Sequence, residues 1–246
     1  MIEPRSETLD HPRGPITVWR AGHGHPLLWL HPAGGFRWSL GLAQLAERYE
    51  LVAPVAPGFD GTPLWPEVHS MSALADWVAE VHARTVEHPC PVVGHSFGGW
   101  LAMWYAVRHA DQITRLVLMA PAGFRPPDST VSLQDVARQL FVHPEKALPS
   151  DKSPQVEAGN REATRHYHGP SPRDEELAQR LSEITVPTLI LRGARDVLIP
   201  HASMEEIQAG IGHAVVVQLP DGGHGLDTDQ PEAYAHWIRA FLEGAV

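Results

Sequence analysis

The sequence predicts an α/β fold in which helices cover both faces of a mostly parallel sheet. Short apolar runs bounded by turn residues alternate with helical patterns along most of the 246 residues, and this alternation is typical of parallel sheets. The predicted strands are also nearly continuous in apolar residues, as in residues 116–120. Continuous apolar strands are expected where both faces of a sheet are covered.

Apolar runs and helical periodicity assign the individual elements. Residues 73–85 carry apolar side chains on one helical face, including Leu74, Trp77 and Val78, and Ser72 is the predicted N-cap. Apolar runs predict strands over residues 16–20, 27–30, 51–53, 91–94, 116–120, 188–192 and 215–219. Helical patterns predict helices over residues 36–48, 73–85, 97–108, 202–209 and 231–242.

The segment from residue 124 to residue 183 interrupts this alternation. It contains no convincing core strand and is rich in proline. Two capping-box patterns, one from Ser132 to Asp135 and one from Ser171 to Asp174, predict helix starts, with Pro172 at a first helical position. We therefore predict a small helical cap over residues 124–183, inserted between core parts 1–123 and 184–246. A long disordered loop is the alternative.

The composition limits the partners and the compartment that we expect. With 19 basic and 29 acidic residues the formal charge is −10, which gives no electrostatic reason to bind nucleic acid or an anionic membrane. The single cysteine, Cys90, excludes an intramolecular disulfide and fits a reducing cytoplasm. The first residues lack the apolar region of a secretory signal, and no apolar stretch approaches the length of a membrane span. The oligomeric state is left open.

The strongest motif is GHSFGG, residues 94–99, between a predicted strand and a predicted helix. A turn this tight forces Ser96 into a strained backbone conformation, and side chains two residues before and after it would collide. Gly94 and Gly98 occupy those two positions. The hydroxyl would stand at a helix N-terminus, which favours developing negative charge. Ser96 is the predicted nucleophile, with an incidental serine in a glycine-rich turn as the alternative.

A serine hydroxyl needs a base, and a third group must orient that base. His224 follows the last predicted strand and precedes the last helix, so it is the predicted base. Asp196 lies just after the preceding strand and is the predicted acid. The rivals Asp221, Asp227 and Asp229 are near His224 in sequence, but their loop cannot easily turn a carboxylate back onto the ring.

Two backbone N–H groups should hold the oxyanion. One is the amide of Phe97, directly after the nucleophile. The other should come from the loop that follows residues 27–30, where Pro32 has no N–H; Ala33 is therefore the first choice and Gly34 the second. His31 is interpreted as a structural residue that braces this loop.

These segments resemble the α/β-hydrolase fold superfamily over nearly the whole chain. HPAGG resembles its oxyanion segment, with Pro32 in place of glycine, and APVAPGFDGTP resembles its Asp-x-Pro-Gly-x-Gly-x-Ser loop, with Val55 in place of aspartate. GHSFGGW, LILRGARDVLIP and GGHGLDTDQPE resemble the nucleophile, acid and base segments, and the order serine, aspartate, histidine matches. The resemblance is nearest to esterases, lactonases and carbon–carbon-bond hydrolases, and it implies a small helical cap over a mostly parallel sheet.

The expected activity is serine hydrolysis of a small, partly apolar acyl compound, which is an ester, a thioester, a lactone or a ketone split at a carbon–carbon bond. No cofactor is expected. Perhydrolysis, acyl transfer, lyase chemistry and a triad-retaining receptor or pseudoenzyme remain alternatives. Two histidine pairs, at residues 23 and 25 and at residues 166 and 168, lack a third metal ligand in sequence. Five cap residues are candidates for a substrate carboxylate or, more simply, a solvated helix face: Arg161, Arg165, His166, Tyr167 and His168.

Overall fold

An eight-stranded sheet forms the centre of the computed structural model, which describes residues 2–126, 140–169, 171 and 173–246. The strands are β1 (Arg5–Leu9), β2 (Ile16–Gly22), β3 (His25–Leu30), β4 (Tyr49–Pro54), β5 (Cys90–His95), β6 (Ile113–Met119), β7 (Thr188–Gly193) and β8 (Val215–Leu219). Their order in the sheet is β1-β2-β4-β3-β5-β6-β7-β8. β2 is antiparallel to β1 and β4, and the other neighbours pair in parallel.

Helices cover both faces of this sheet. The α-helices are α1 (Leu40–Leu45), α2 (Met71–Thr85), α3 (Phe97–Arg108), α4 (Pro154–His168), α5 (Glu175–Arg180), α6 (His201–Ile211), α7 (Leu226–Asp229) and α8 (Pro231–Leu242). Helix α2 packs against α3, and α1 packs against α8. The central strands β5, β6 and β7 are almost wholly buried as a result. The predicted α/β class and mostly parallel sheet are confirmed.

Two helix starts differ from the prediction. The helix predicted over residues 36–48 is shorter, because the amide of Phe36 donates to the Asp60 carboxylate (2.8 Å) and α1 begins only after Ser39. Helix α2 begins at Met71, and its N-cap is Ser70 instead of Ser72, because the Ser70 hydroxyl accepts from the amide of Ala73. Both differences lie at element ends, where sequence patterns are least specific.

No sequence pattern predicts β1, whose side chains are mostly exposed at the edge of the sheet. No predicted helix start matches α4 either, although Ser153 caps it and Pro154 stands at its first position. The capping box from Ser171 is wrong: Asp174 is the N-cap of α5, and its carboxylate accepts from Leu177. The box from residue 132 to residue 135 lies outside the described residues, as does Pro172.

The segment between β6 and β7 contains several helices in the part that is described. Between β6 and β7 the described residues contain α4, α5 and two short 3₁₀ turns, Pro144–Lys146 and Leu181–Glu183, with no strand longer than the isolated bridge between Phe124 and Arg173. The boundaries 124–183 of a separate cap, and hence of core parts 1–123 and 184–246, stay a prediction. Across the described ranges no helix combines the length and the apolar character needed to cross a bilayer.

Candidate active site

The carboxyl ends of the parallel strands meet at one edge of the sheet, where ligands bind in open α/β sheets. Ser96 directly follows β5, Asp196 follows β7 after a short turn, and His224 follows β8. Strands β5, β6, β7 and β8 are consecutive neighbours in the sheet. The topology therefore brings the three predicted catalytic residues to the same edge.

Ser96 occupies a strained turn between β5 and α3. Its backbone has φ 54° and ψ −112°, a conformation that residues with side chains rarely adopt. A Cβ atom on Gly94 would collide with the carbonyl of Gly98, and a Cβ atom on Gly98 would collide with the carbonyl of Leu30. The amide of Ser96 donates to the carbonyl of Met119 (2.9 Å), which ties the turn to β6. The two glycines are thus required by close backbone packing.

His224 and Asp196 form a buried pair. His224 Nδ1 lies 3.0 Å from Asp196 Oδ2, and both side chains are 5% exposed. The other oxygen of Asp196 accepts from the amides of Leu198 (2.8 Å) and Ile199 (3.1 Å). Burial works to raise the pKa of Asp196, but the charge of His224 and these hydrogen bonds outweigh it and lower the pKa. The ionised carboxylate can therefore hold the Nδ1–H tautomer and leave Nε2 free to accept a proton.

His95 connects the serine turn to the histidine loop. Its Nε2 donates to the carbonyl of His224 (3.1 Å), and the two rings lie 5.0 Å apart. Burial, and then the charge of His224, lowers the pKa of His95 well below its usual value, so the ring is neutral. No hydrogen bond joins Ser96 to His224 among the described residues. The link between nucleophile and base stays a prediction, and such links are often longer without substrate.

The two predicted oxyanion donors lie on adjoining segments. Phe97 is the first residue of α3, so its N–H has no intrahelical acceptor. Gly98 packs against the carbonyls of Leu30 and His31, which places the start of α3 beside the loop that contains Ala33. The choice of Ala33 over Gly34 stays a prediction.

His31 braces that loop through both ring nitrogens. Nε2 accepts from the amide of Ala56 (3.0 Å), and Nδ1 donates to the carbonyl of Pro32 (2.8 Å). Burial lowers the pKa of His31 despite the opposing charge of Asp60, which keeps Nε2 unprotonated as the contact with Ala56 requires. These contacts agree with the structural role expected for His31.

Comparison with known proteins places this geometry in a family. The family model described as "Alpha/beta hydrolase family" matches residues 21–237. The chain belongs to the alpha/beta hydrolase family. The predictions of this family, of its fold and of an enzyme of the hydrolase class are confirmed.

Individual relatives of this alpha/beta hydrolase are distant but span nearly its whole length. A Rhizobium rhizogenes protein that bears the provisional name carbamate hydrolase RutD is 24% identical over an alignment that covers 95% of each chain. The AB hydrolase superfamily protein YisY of Bacillus subtilis is 26% identical over 89% of this chain and 92% of its own. A solved structure of a serine hydrolase involved in carbazole degradation (CarC enzyme) has a TM-score of 0.80, with 20% identity over 98% and 99% of the chains. That last similarity concerns the fold.

The rival carboxylates of this alpha/beta hydrolase have other partners. Asp221 lies near the surface and binds His143 (2.6 Å) and Arg195 (2.8 Å). Asp229 is fully buried and accepts from the amides of Gly223 (2.7 Å) and His143 (2.8 Å). Burial raises the pKa of Asp227. Of the four aspartates considered as the acid, Asp196 is the one hydrogen-bonded to His224 in the described residues.

The cap residues considered for a substrate carboxylate divide into two groups. Arg161 and Arg165 are exposed, as expected for a solvated helix face. A solvated face is wrong for Tyr167, which is buried with its hydroxyl on the carbonyl of Pro57. His166 and His168 are half-buried, and they contact the carbonyl of Val68 and the ring of Trp100, respectively. These three side chains attach α4 to the core.

Sequence reasoning missed a polar cluster at the oxyanion loop, made of Asp60, Lys152 and Asn160. The signal was present, because Asp60 stands where the pattern Asp-x-Pro-Gly-x-Gly-x-Ser has its second glycine. Its backbone has φ 51°, a conformation that suits glycine. In the described residues, no group of three or more His, Cys, Asp or Glu side chains is arranged to hold a metal ion.

Proposed function

We propose that this alpha/beta hydrolase cleaves small, partly apolar acyl compounds through a covalent intermediate on Ser96. The Ser96 oxygen attacks the substrate carbonyl carbon, and its proton passes to Nε2 of His224. The carbonyl oxygen becomes an oxyanion, which the amides of Phe97 and Ala33 stabilise. His224 then donates that proton to the leaving group. In the second half of the reaction His224 takes a proton from a water molecule, which attacks the acyl carbon, and His224 returns the proton to the Ser96 oxygen as the acid is released.

The hydrogen bond between Asp196 and His224 is the observation that carries the proposal. Both groups are nearly inaccessible to solvent, so the negative charge of the carboxylate can stabilise the imidazolium that forms when the serine is deprotonated. The strained turn at Ser96 supports it, since a non-glycine residue at positive φ has an energetic cost that surrounding structure must offset.

The substrate class rests on weaker support and is chosen from the family resemblance. Phe59, Phe97 and Tyr167 form an aromatic cluster beside the predicted oxyanion donors, with ring centres 5.2 to 6.3 Å apart. The three side chains are at most 3% exposed, so the surroundings of the donors are apolar on this side, which suits an apolar acyl group better than a charged one. The name of the Rhizobium relative adds carbamates to esters, thioesters, lactones and cleavable ketones as compounds to assay. No cofactor and no nucleic acid or membrane partner enters the proposal, and a cytoplasmic location is part of it.

Covalent labelling tests the proposal directly. A fluorophosphonate should label the protein once, at Ser96, and the Ser96→Ala variant should lose both labelling and hydrolysis of a chromogenic acetate ester. Labelling or turnover that persists in Ser96→Ala would refute the proposed nucleophile. The receptor alternative differs in its kinetics. One slow turnover with no further product release would favour a receptor, whereas sustained turnover favours an enzyme.

A further inference from the structure

A polar cluster joins the segment around α4 to the predicted oxyanion loop. The Lys152 ammonium lies 2.7 Å from the Asp60 carboxylate and 2.6 Å from the carbonyl of Gly34. The Asn160 side-chain amide donates to the same carbonyl (2.9 Å) and to the Asp60 carboxylate (3.1 Å). Asp60 in turn accepts from the amide of Phe36 (2.8 Å). The cluster thus holds the loop backbone at the residue after Ala33 and at the residue after Gly35.

Burial makes these contacts obligatory. Asn160 is 2% exposed, and the side chains of Lys152 and Asp60 are 13% and 16% exposed. Asn160 Oδ1 also accepts from the amide of Asp60 (2.7 Å), so both ends of its side chain are used. Burial lowers the pKa of Lys152, and Asp60 opposes that shift. A buried polar group without its partner is costly, so each member depends on the others.

The backbone beside the cluster leaves no space for a side chain at residue 35. Gly35 has φ +78°, and a Cβ atom there would collide with the Asp60 carboxylate and approach the Lys152 ammonium to 2.6 Å. The carboxylate therefore packs directly against the loop backbone. Asp60 has φ 51° at a position where the family pattern has glycine, so its backbone is strained. Glycine would avoid this strain but would lack the carboxylate that binds Lys152, Asn160 and Phe36.

We propose that Asp60, Lys152 and Asn160 are positioning residues for the oxyanion hole, and that the seating of α4 and the completion of that hole are one event. The inference rests on the proposed function. Two donors fix the carbonyl of Gly34. The N–H of the same peptide group, at Gly35, donates to the carbonyl of Pro32 (2.9 Å), and that carbonyl belongs to the peptide group that carries the Ala33 amide. Fixing the Gly34 carbonyl therefore helps to fix the direction of the Ala33 amide. A donor contributes to transition-state stabilisation only when it is already aimed at the developing charge.

The variant Asp60→Gly tests this role, because glycine adopts φ 51° without strain, and thermal unfolding measures what the loss of the carboxylate costs in stability. We expect kcat for a chromogenic acetate ester to fall about ten- to a hundredfold, with KM within about twofold, since a small misplacement of a catalytic group has effects of that size. Asp60→Asn keeps an oxygen acceptor for the amide of Phe36 and should recover part of kcat. Glu162→Gln, which removes an exposed carboxylate from α4, is the matched control and should keep wild-type kcat.

Phosphonylation by a fluorophosphonate gives a second readout that does not depend on turnover, because each protein molecule reacts once. Its rate also reports on the oxyanion hole, because the transition state places negative charge on oxygen. The second-order labelling rate should fall in Asp60→Gly by about the same factor as kcat. Combining Asp60→Gly with Lys152→Met should cost little more than the larger single effect, because the two side chains act as a unit.

The inference would be overturned by an Asp60→Gly variant with kcat and labelling rate within about twofold of wild type, or by single losses that multiply in the double variant. A fall in kcat that is matched by a fall in the folded fraction, measured by thermal unfolding, would also overturn it. The proposed function fails separately, if Ser96→Ala still hydrolyses the ester. An inactive Ser96→Ala beside a fully active Asp60→Gly would refute only the role of the cluster.

Discussion

Replacing Asp229 with alanine should loosen the loop that carries His224. The Asp229 carboxylate is fully buried and accepts one hydrogen bond from each of two segments, at the amides of Gly223 (2.7 Å) and His143 (2.8 Å). Gly223 precedes the predicted base, and His143 belongs to the inserted segment. The Asp229→Ala variant would leave both amides without an acceptor.

The expected loss of stability follows from the burial of these amides. An unsatisfied buried donor costs about 1–3 kcal/mol. Gly223 is buried, so its amide should bear the full cost, whereas His143 is half-buried and water can reach its amide. We therefore expect the free energy of unfolding to fall by about 2–4 kcal/mol. In the described residues the Asp229 carboxylate binds the amides of Gly223 and His143 and makes no hydrogen bond to His224, so kcat should fall through misplacement of the ring, by about tenfold or more.

Urea unfolding and steady-state kinetics measure the two effects separately. The nearby Asp227→Asn is a matched control, since burial raises the pKa of Asp227 and removal of a buried charge should not lower stability at neutral pH. An Asp229→Ala variant whose free energy of unfolding lies within about 0.5 kcal/mol of wild type would refute the reasoning, because that size is typical of surface substitutions. So would an equal loss in Asp227→Asn.

The remaining predictions concern single groups. Asp196→Asn should keep the fold and lower kcat by about 10⁴-fold because it favours the wrong tautomer of His224; near-normal turnover, with activity lost in Asp221→Asn instead, would contradict the assignment. The lowered pKa of Asp196 contributes stability at neutral pH that is lost as the pH falls below about 3.8. The free energy of unfolding, measured with urea, should therefore decrease less steeply in acid for Asp196→Asn than for wild type. Burial raises the pKa of Cys90 to about 12, so a thiol reagent at pH 8 should react only after unfolding. Chelator treatment should leave turnover unchanged, and activity that zinc restores would contradict this.

The catalytic candidates could be predicted because their signals are local. A glycine two residues before and after Ser96, between a strand and a helix, is a short-range steric requirement that the sequence displays directly. Asp196 and His224 were found by their places after β7 and β8, and the parallel topology then brings them together without further information.

The contacts that hold the candidates could not be predicted, because they join residues that are far apart in sequence. The bond from Asp60 to Asn160 spans 100 residues, and that from Asn160 to Gly34 spans 126. Polar residues in loops follow neither helical nor strand periodicity, so no pattern indicates which of them will meet. The edge strand β1 escaped prediction for a related reason, since its exposed side chains carry little apolar alternation.

The segment between β6 and β7, which we predict to be an inserted cap, contacts both the base loop and the oxyanion loop of the proposed site. Residues 140–143 hold the His224 loop, since the carbonyl of Leu140 accepts from the amide of Gly225 (3.0 Å) and the amide of His143 donates to Asp229. Its next part holds the oxyanion loop through Lys152 and Asn160. The proposed base and oxyanion donors therefore depend on contacts of the same insertion, whereas Ser96 is held by the sheet itself. Changes within residues 140–160 should thus affect the rate of acyl transfer as well as substrate choice.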